Sequence, residues 1–175
     1  KNAILFWYLY PNSFKNFFIQ AFTIGISDPD NGRVRENEWK SALIQLRDSL
    51  FHCQHCDGEV FFDYTMMNDS LHSQLLCWRC KKPVTIPPMI TIGANNPVLL
   101  NENTILFFHH LNPSSFDMNT PIARVSKHPS MERYGLQNLT SHTWTVTSPD
   151  GMKAEVTSQK NALIGNGILI DFGSV

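Results

Sequence analysis

The four cysteines of this chain occur only as two Cys-x-x-Cys pairs, Cys53/Cys56 and Cys77/Cys80, with twenty residues between the pairs and no thiol left over. Two residues between cysteines let one tight turn aim both sulfurs at a single ion, and two such turns supply a tetrahedron. Disulfide pairing, dithiol redox chemistry and a tetrathiolate iron site use the same residues. The apolar start, Ala3 to Tyr10, is too short for an export signal and carries no cleavage-site pattern. The reading is therefore of metal ligation in a reducing, cytoplasmic setting.

Zinc suits four soft thiolates at this spacing, and a filled thiolate shell leaves no position for water or substrate, so the expected role is structural. The strand-like run Glu59–Tyr64 and the polar stretch Met66–Ser73 fit the hairpin between the two knuckles of a zinc ribbon. His52 and His55 flank the first knuckle and are expected to be exposed rather than ligating. Arg79, Lys81 and Lys82 flank the second, where cations offset the negative charge of a four-thiolate zinc.

The remainder of the 175 residues divides around this segment. Upstream, Phe14, Phe17, Phe18, Ala21 and Phe22 make one apolar helical stripe after Ser13 as N-cap, and Trp39, Leu43, Leu46 and Leu50 make a second from Glu36 to Phe51. The aromatic load is more than a helical hairpin buries alone, so these helices are expected to cover something further. Downstream, short β-rich runs alternate with turn signals, as in Trp144–Thr147, Pro149-Asp150-Gly151 and Ala154–Val156. That texture predicts a β-sandwich. The expectation is a multi-domain α+β chain: a helical segment over 1–52, a four-cysteine zinc ribbon over 53–86 and a β-sandwich over 87–175.

Charge is spread evenly. Residues 1–52 hold six Lys+Arg and five Asp+Glu, 53–86 three and four, and 89–175 five and six. No segment forms the basic strip that nucleic acid requires, and no apolar run reaches a membrane span's roughly 20 residues. A zinc-ribbon nucleic-acid module is the alternative reading.

The run Arg33-Val34-Arg35-Glu36-Asn37-Glu38-Trp39, after Phe22–Pro29, resembles the end of the C-terminal lobe of eukaryotic-type Ser/Thr protein kinases over about residues 11–50. With the cysteine segment and β-rich tail behind it, the chain looks like the C-terminal part of a bacterial kinase. The type is the one encoded beside a phosphatase and a von Willebrand factor A-type protein in tellurium-resistance-like clusters. Asp171-Phe172-Gly173 copies the kinase magnesium motif, but no phosphate loop, strand lysine or His-Arg-Asp loop accompanies it, so it reads as the end of a last strand. No catalytic residue is expected.

The tail also resembles a forkhead-associated domain, a β-sandwich that reads phosphothreonine. The resemblance rests on Ile92-Gly93, on Gly135 to Thr140, and on Leu163 to Gly173. Ala94 stands where that family carries its phosphate-binding arginine, and Ser126-Lys127-His128 and Ser141-His142-Thr143-Trp144 replace its other two recognition motifs. The resemblance implies a docked protein partner, the von Willebrand factor A-type protein or a phosphorylated segment of it, with Arg124, Ser126, Lys127, Arg133 and Ser141 as candidate contacts. His109 and His110 are read as alternating faces of a strand, unable to share a metal. Asn68-Asp69-Ser70 and Asn138-Leu139-Thr140 are glycosylation sequons without a secretory context.

Overall fold

The fold was described from a computed structural model covering all residues except 1, 67–74, 94–96, 103, 129, 131–132 and 174–175, and omitting the side chains of 2, 3 and 66. The first sequon, the polar stretch after Met66 and Ala94 lie outside the described residues. The chain is mixed α/β with small antiparallel sheets and divides into two compact units, residues 1–89 with 96–99, and residues 90–95 with 100–175.

The first unit opens with α1 (Asn2–Phe6), a 3-10 turn at Trp7–Leu9, α2 (Asn12–Phe22), α3 (Ile24–Ser27) and α4 (Glu36–Asp48). Pro11, not Ser13, occupies the N-cap position of α2, and its fixed φ suits the entry into a helix. The helix's first N–H, that of Asn12, donates to Asp63 Oδ2 at 2.8 Å, so the carboxylate that caps α2 comes from fifty-one residues downstream. At α4 the Arg35 N–H donates to Glu38 Oε2 at 2.6 Å, the return half of a capping box. This second helix ends at Asp48 rather than Phe51, because Leu50–His52 leave it to form strand β1. Phe51 there is only 1% exposed, packed in a buried cluster with Cys53 and Val60.

Aromatic contacts join the helices to each other and to the cysteine segment. Phe18 packs edge-on to Trp39 at 4.9 Å and to Trp7 at 5.5 Å. Tyr10 lies 5.3 Å from Phe61, and Phe6 meets Trp78 at 5.4 Å. Part of the aromatic surplus therefore covers the cysteine hairpin, while Phe22, Ile24 and Ile26 stay exposed. β1 pairs antiparallel with β2 (Glu59–Phe61), and Phe51, Cys53, Val60, Cys77, Val84 and Leu99 form a small buried cluster beneath the cysteine turns. Strands β3 (Met89–Ile90) and β4 (Val98–Leu99) follow.

The second unit holds β5 (Ile105–Phe107), α5 (Phe108–Leu111), β6 (Pro121–Lys127), β7 (Tyr134–Asn138), β8 (Trp144–Thr147), β9 (Lys153–Val156), β10 (Asn161–Leu163) and β11 (Leu169–Asp171). They form two antiparallel sheets, in the orders β10-β7-β6-β5 and β11-β8-β9. The first sheet divides its faces with a period of two, except at Ile122, which is also buried beside the register shift at the start of β6. Leu106, Ala123, Val125, Leu136, Asn138 and Ala162 are buried on one side. On the other, Arg124, Gln137 and Asn161 share one rung and Ser126, Gly135 and Leu163 the next. In the second sheet Trp144 is fully buried, 4.9 Å from Phe172.

The Pro149-Asp150-Gly151 hairpin forms between β8 and β9, with Gly151 at φ +83° and Asp150 Oδ1 accepting from Ser148 Oγ at 2.6 Å. Glycine, glutamine and asparagine dilute the apolar alternation of β7 and β10, so the sequence marks these two strands only weakly. His109 and His110 require a correction. They sit in the single-turn α5, not a strand, and their rings lie 3.9 Å apart. The register with β6 shifts between Leu106 and Phe107, and the chain leaves β5 after Phe107 to enter that helix.

Candidate functional site

The two cysteine turns are built alike. Cys53 N–H donates to Gly58 O at 2.9 Å and receives Asp57 N–H on its own carbonyl at 2.9 Å. In the second turn, Cys77 N–H donates to Lys82 O and Lys81 N–H to Cys77 O, again both at 2.9 Å. The residue after each second cysteine is left-handed, Asp57 at φ +57° and Lys81 at φ +62°. That conformation swings the chain round so that backbone N–H groups and both sulfurs face inward, and it is where glycine would cost least. Gly58 follows the first knuckle in a confined spot, where a Cβ would come within 3.3 Å of Arg79 and 3.4 Å of Cys56 Sγ.

These turns bring the sulfurs together. Cys53 Sγ is 3.7 Å from Cys80 Sγ, Cys56 Sγ is 3.7 Å from Cys77 Sγ, and all four lie within 4.8 Å of one another. A tetrahedron with zinc–sulfur bonds of about 2.3 Å has sulfur–sulfur edges of about 3.8 Å. A disulfide would need about 2.05 Å. The four cysteines are thus positioned for a metal, and their geometry is compatible with structural zinc.

The thiols also differ in acidity. Burial pushes Cys77 up, but the backbone N–H groups of Cys80 and Arg79, followed by the Cys56 and Cys53 thiols, outweigh it and bring it down to about 7. At Cys56 the Gly58 N–H pulls downward, yet desolvation and the three neighbouring thiols hold it at about 11. One easily ionised thiol among four crowded ones suits a cation, because a metal relieves the repulsion that ionising the rest would otherwise cost.

Trp78 lies between two of the cysteines, and its indole N–H donates to Glu59 O at 2.7 Å, tying the second knuckle to β2. His52 and His55 are exposed beside the first knuckle, with His52 Nδ1 3.3 Å from the Asp57 carboxylate. Arg79, Lys81 and Lys82 are exposed around the second, and Arg79 donates to Cys56 O at 3.4 Å. Sequence spacing located the four clustered cysteines. It did not reveal Asp57 and Lys81 as left-handed, nor Asp63 as the carboxylate joining this segment to α2.

The candidate docking residues of the second unit do not converge on one point. Ser126, Lys127 and Arg133 line a single open cleft of about 260 Å³ with His128, Tyr134 and Asn161. Lys127 Nζ sits 5.9 Å from the Tyr134 ring centre, and Ser126 Oγ donates to Asn161 Oδ1 at 2.7 Å. Arg124 is exposed one rung further along the same sheet face, opposite Gln137. Ser141 is exposed in the connection that leaves the far end of β7. Ser126 pairs with Gly135 at the near end, so the sheet's length separates the two serines.

Asn138 emerges as the organising residue of that connection. Its buried amide donates to His142 O at 2.7 Å and Val156 O at 2.9 Å, while Oδ1 accepts from Thr140 N–H at 2.8 Å and Thr140 Oγ at 2.7 Å. The sequon asparagine is thus wholly committed inside the fold. Asp171 ends β11 with Oδ1 accepting from Gly173 N–H at 2.9 Å, and Gly173 is left-handed at φ +71°. Asp171-Phe172-Gly173 is a strand end and turn, as read from the sequence. No helix among the described residues is long and apolar enough to cross a membrane. Compared with known proteins, the chain matches no family model, no curated protein and no solved structure.

Proposed function

We propose that this chain is a non-catalytic protein-interaction region, in which a zinc ribbon over 53–86 braces the helices and a forkhead-associated-like β unit presents a docking surface. The observation that carries the reading is the four-sulfur cluster itself: with all four positions taken by thiolates, a bound ion stabilises the fold and has no site for substrate. Cysteines would hold the ion, and the zinc supplies only charge and cross-linking. The turns' own hydrogen bonds preset the sulfur positions, and Trp78 and Asp63 carry that order to β2 and α2.

In this reading the segment belongs to the regulatory end of a bacterial Ser/Thr kinase, and its partner is the von Willebrand factor A-type protein of the same cluster. The even charge of the first unit supports protein over nucleic acid as the partner. The test is calorimetric titration of the full chain with a von Willebrand factor A-type domain, before and after phosphatase treatment, beside a duplex DNA control. A stoichiometric, phosphatase-insensitive complex is expected. DNA binding with a steep salt slope, or no protein complex, overturns the reading, and a hundredfold loss after phosphatase restores phosphate recognition.

A further inference from the structure

The sequence contains two Asn-Gly steps, Asn31-Gly32 and Asn166-Gly167. At such a step the glycine nitrogen can attack the asparagine Cγ, because no Cβ on the glycine stands in the way. The reaction asks three things of the fold: an N–H able to give up its proton, a side chain able to turn toward it, and a backbone that can bring the two atoms to about 3–3.5 Å. The two steps meet these conditions very differently.

Asn31 is held in place. Its Nδ2 donates to both Asp28 carboxylate oxygens, at 3.3 and 3.2 Å, and its backbone N–H donates to Asp28 Oδ1 at 3.2 Å. The attacking nitrogen is committed as well, since Gly32 N–H donates to Asp28 O at 2.8 Å. Gly32 is buried, so close to Ile24 that a Cβ would come within 2.8 Å of the Ile24 carbonyl oxygen. The Asp28 carboxylate beside this peptide also opposes the loss of a proton from it.

Asn166 is open. Both it and Gly167 are exposed, at the tip of the turn that Ile168 N–H closes on Gly165 O through a long bond of 3.3 Å. Among the described residues, no hydrogen bond engages the Asn166 side chain or the Gly167 N–H. Residues 162–170 contain no charged side chain to oppose ionisation.

We propose that Asn166 is a self-modifying site that forms an isoaspartyl link with Gly167, and that the fold suppresses the same reaction at Asn31. The Gly167 nitrogen gives its proton to solvent base and bonds to Asn166 Cγ. The Cγ–Nδ2 bond breaks, and the amide nitrogen takes up a proton and leaves as ammonia, with a five-membered succinimide left behind. Water then opens the ring. Cleavage of the Cγ–N bond gives an ordinary aspartyl residue, whereas cleavage of the backbone C–N bond gives isoaspartyl, in which the chain runs through Cβ and Cγ. Either product places a carboxylate in the turn between β10 and β11, and the isoaspartyl form lengthens that turn by one methylene.

The experiment ages the full chain in mildly alkaline buffer and follows both steps by mass-spectrometric peptide mapping. Labelling by a carboxyl methyltransferase specific for isoaspartyl is the second readout. In the folded chain, position 166 should convert at least about tenfold faster than position 31. In the chain unfolded by urea the two rates should converge, because the protection of Asn31 is structural. Asn166→Gln, which could close only a larger ring, should abolish methyl labelling of the folded chain. Conversion of Asn31 as fast as Asn166 in the folded chain overturns the proposal, as does labelling that survives Asn166→Gln. So does a difference between the two positions that persists unchanged in urea.

Discussion

Replacing Asn138 tests how the second unit is held together. Its side-chain amide makes four hydrogen bonds from a fully buried position, and they connect β7 with the 140–142 connection and with β9. Asn138→Ala leaves the Val156 carbonyl buried without its donor, at a cost of about 1–3 kcal/mol. The other three bonds involve partly buried groups that water can reach, so each loses only its net worth of about 0.5–1.5 kcal/mol. The expected destabilisation is about 4 kcal/mol, a large part of the roughly 5–15 kcal/mol of an ordinary domain. Urea titration, with amide hydrogen exchange of β7 and β10 to localise the loss, measures it. Asn138→Asp sharpens the test. The new Oδ2 lacks the hydrogens that the amide gives the His142 and Val156 carbonyls, and although Oδ1 keeps the two Thr140 donors, full burial against two carbonyl oxygens holds the folded pKa above the ordinary value of about 3.9. Below pH of about 4 the acid is neutral in both states and the variant is least damaged; the damage then grows as pH rises toward the folded pKa. A loss under about 1 kcal/mol for alanine, or an aspartate variant whose stability does not change with pH, would refute the hub assignment.

At the cysteine turns, Lys81→Ile should lower the unfolding free energy by about 1–2 kcal/mol because a β-branched residue is strained at φ +62°, whereas Lys81→Gly should be neutral or better; equal effects in denaturant titrations would count against the turn geometry. Cys77→Ser should abolish stoichiometric zinc in elemental analysis and expose the cysteine hairpin to limited proteolysis, and iron or no metal in the reduced wild-type protein would defeat the zinc assignment. Desolvation raises the Asp63 carboxyl, but Asn12 N–H, both Thr65 donors and Lys15 outweigh it, so its pKa is depressed. Its contribution is present above the ordinary carboxylate pKa and fades as pH falls through the lower folded value. Asp63→Asn should therefore flatten the acid limb of the first unit's stability, and an unchanged limb would exclude the cap.

The sequence made the four-cysteine cluster legible because the constraint is local: Cys-x-x-Cys encodes a turn, and two turns bring four sulfurs together. The β8–β9 hairpin was legible for the same reason, since Pro149-Asp150-Gly151 specifies its own geometry. What escaped was decided by distant partners. Ser13 is a sound local candidate for the N-cap, yet Pro11 holds that position and Asp63 satisfies the exposed N–H from across the fold. Leu50 continues a helical period and still joins a strand, because Phe61 stands opposite it. Tyr134–Asn138 has weak strand character until β6 and β10 flank it, and Ser126 and Ser141, from two separate motifs, look able to serve one contact until the strand between them is laid out.

Trp78 gives the first unit a property beyond stability. Its indole ring lies within a cysteine turn, hydrogen-bonded to Glu59 and set edge-on to Phe6, so the emission of this residue registers what occupies the sulfur cluster. A closed-shell ion fixes the ring and leaves it bright, whereas cobalt or copper in the same place offers a short-range path for quenching. The chain thus carries an internal optical gauge of what the sulfurs hold, read as the metal-dependent part of the emission in a Trp7→Phe/Trp39→Phe background, where Trp78 is the only indole left in the first unit and Trp144 the only one outside it.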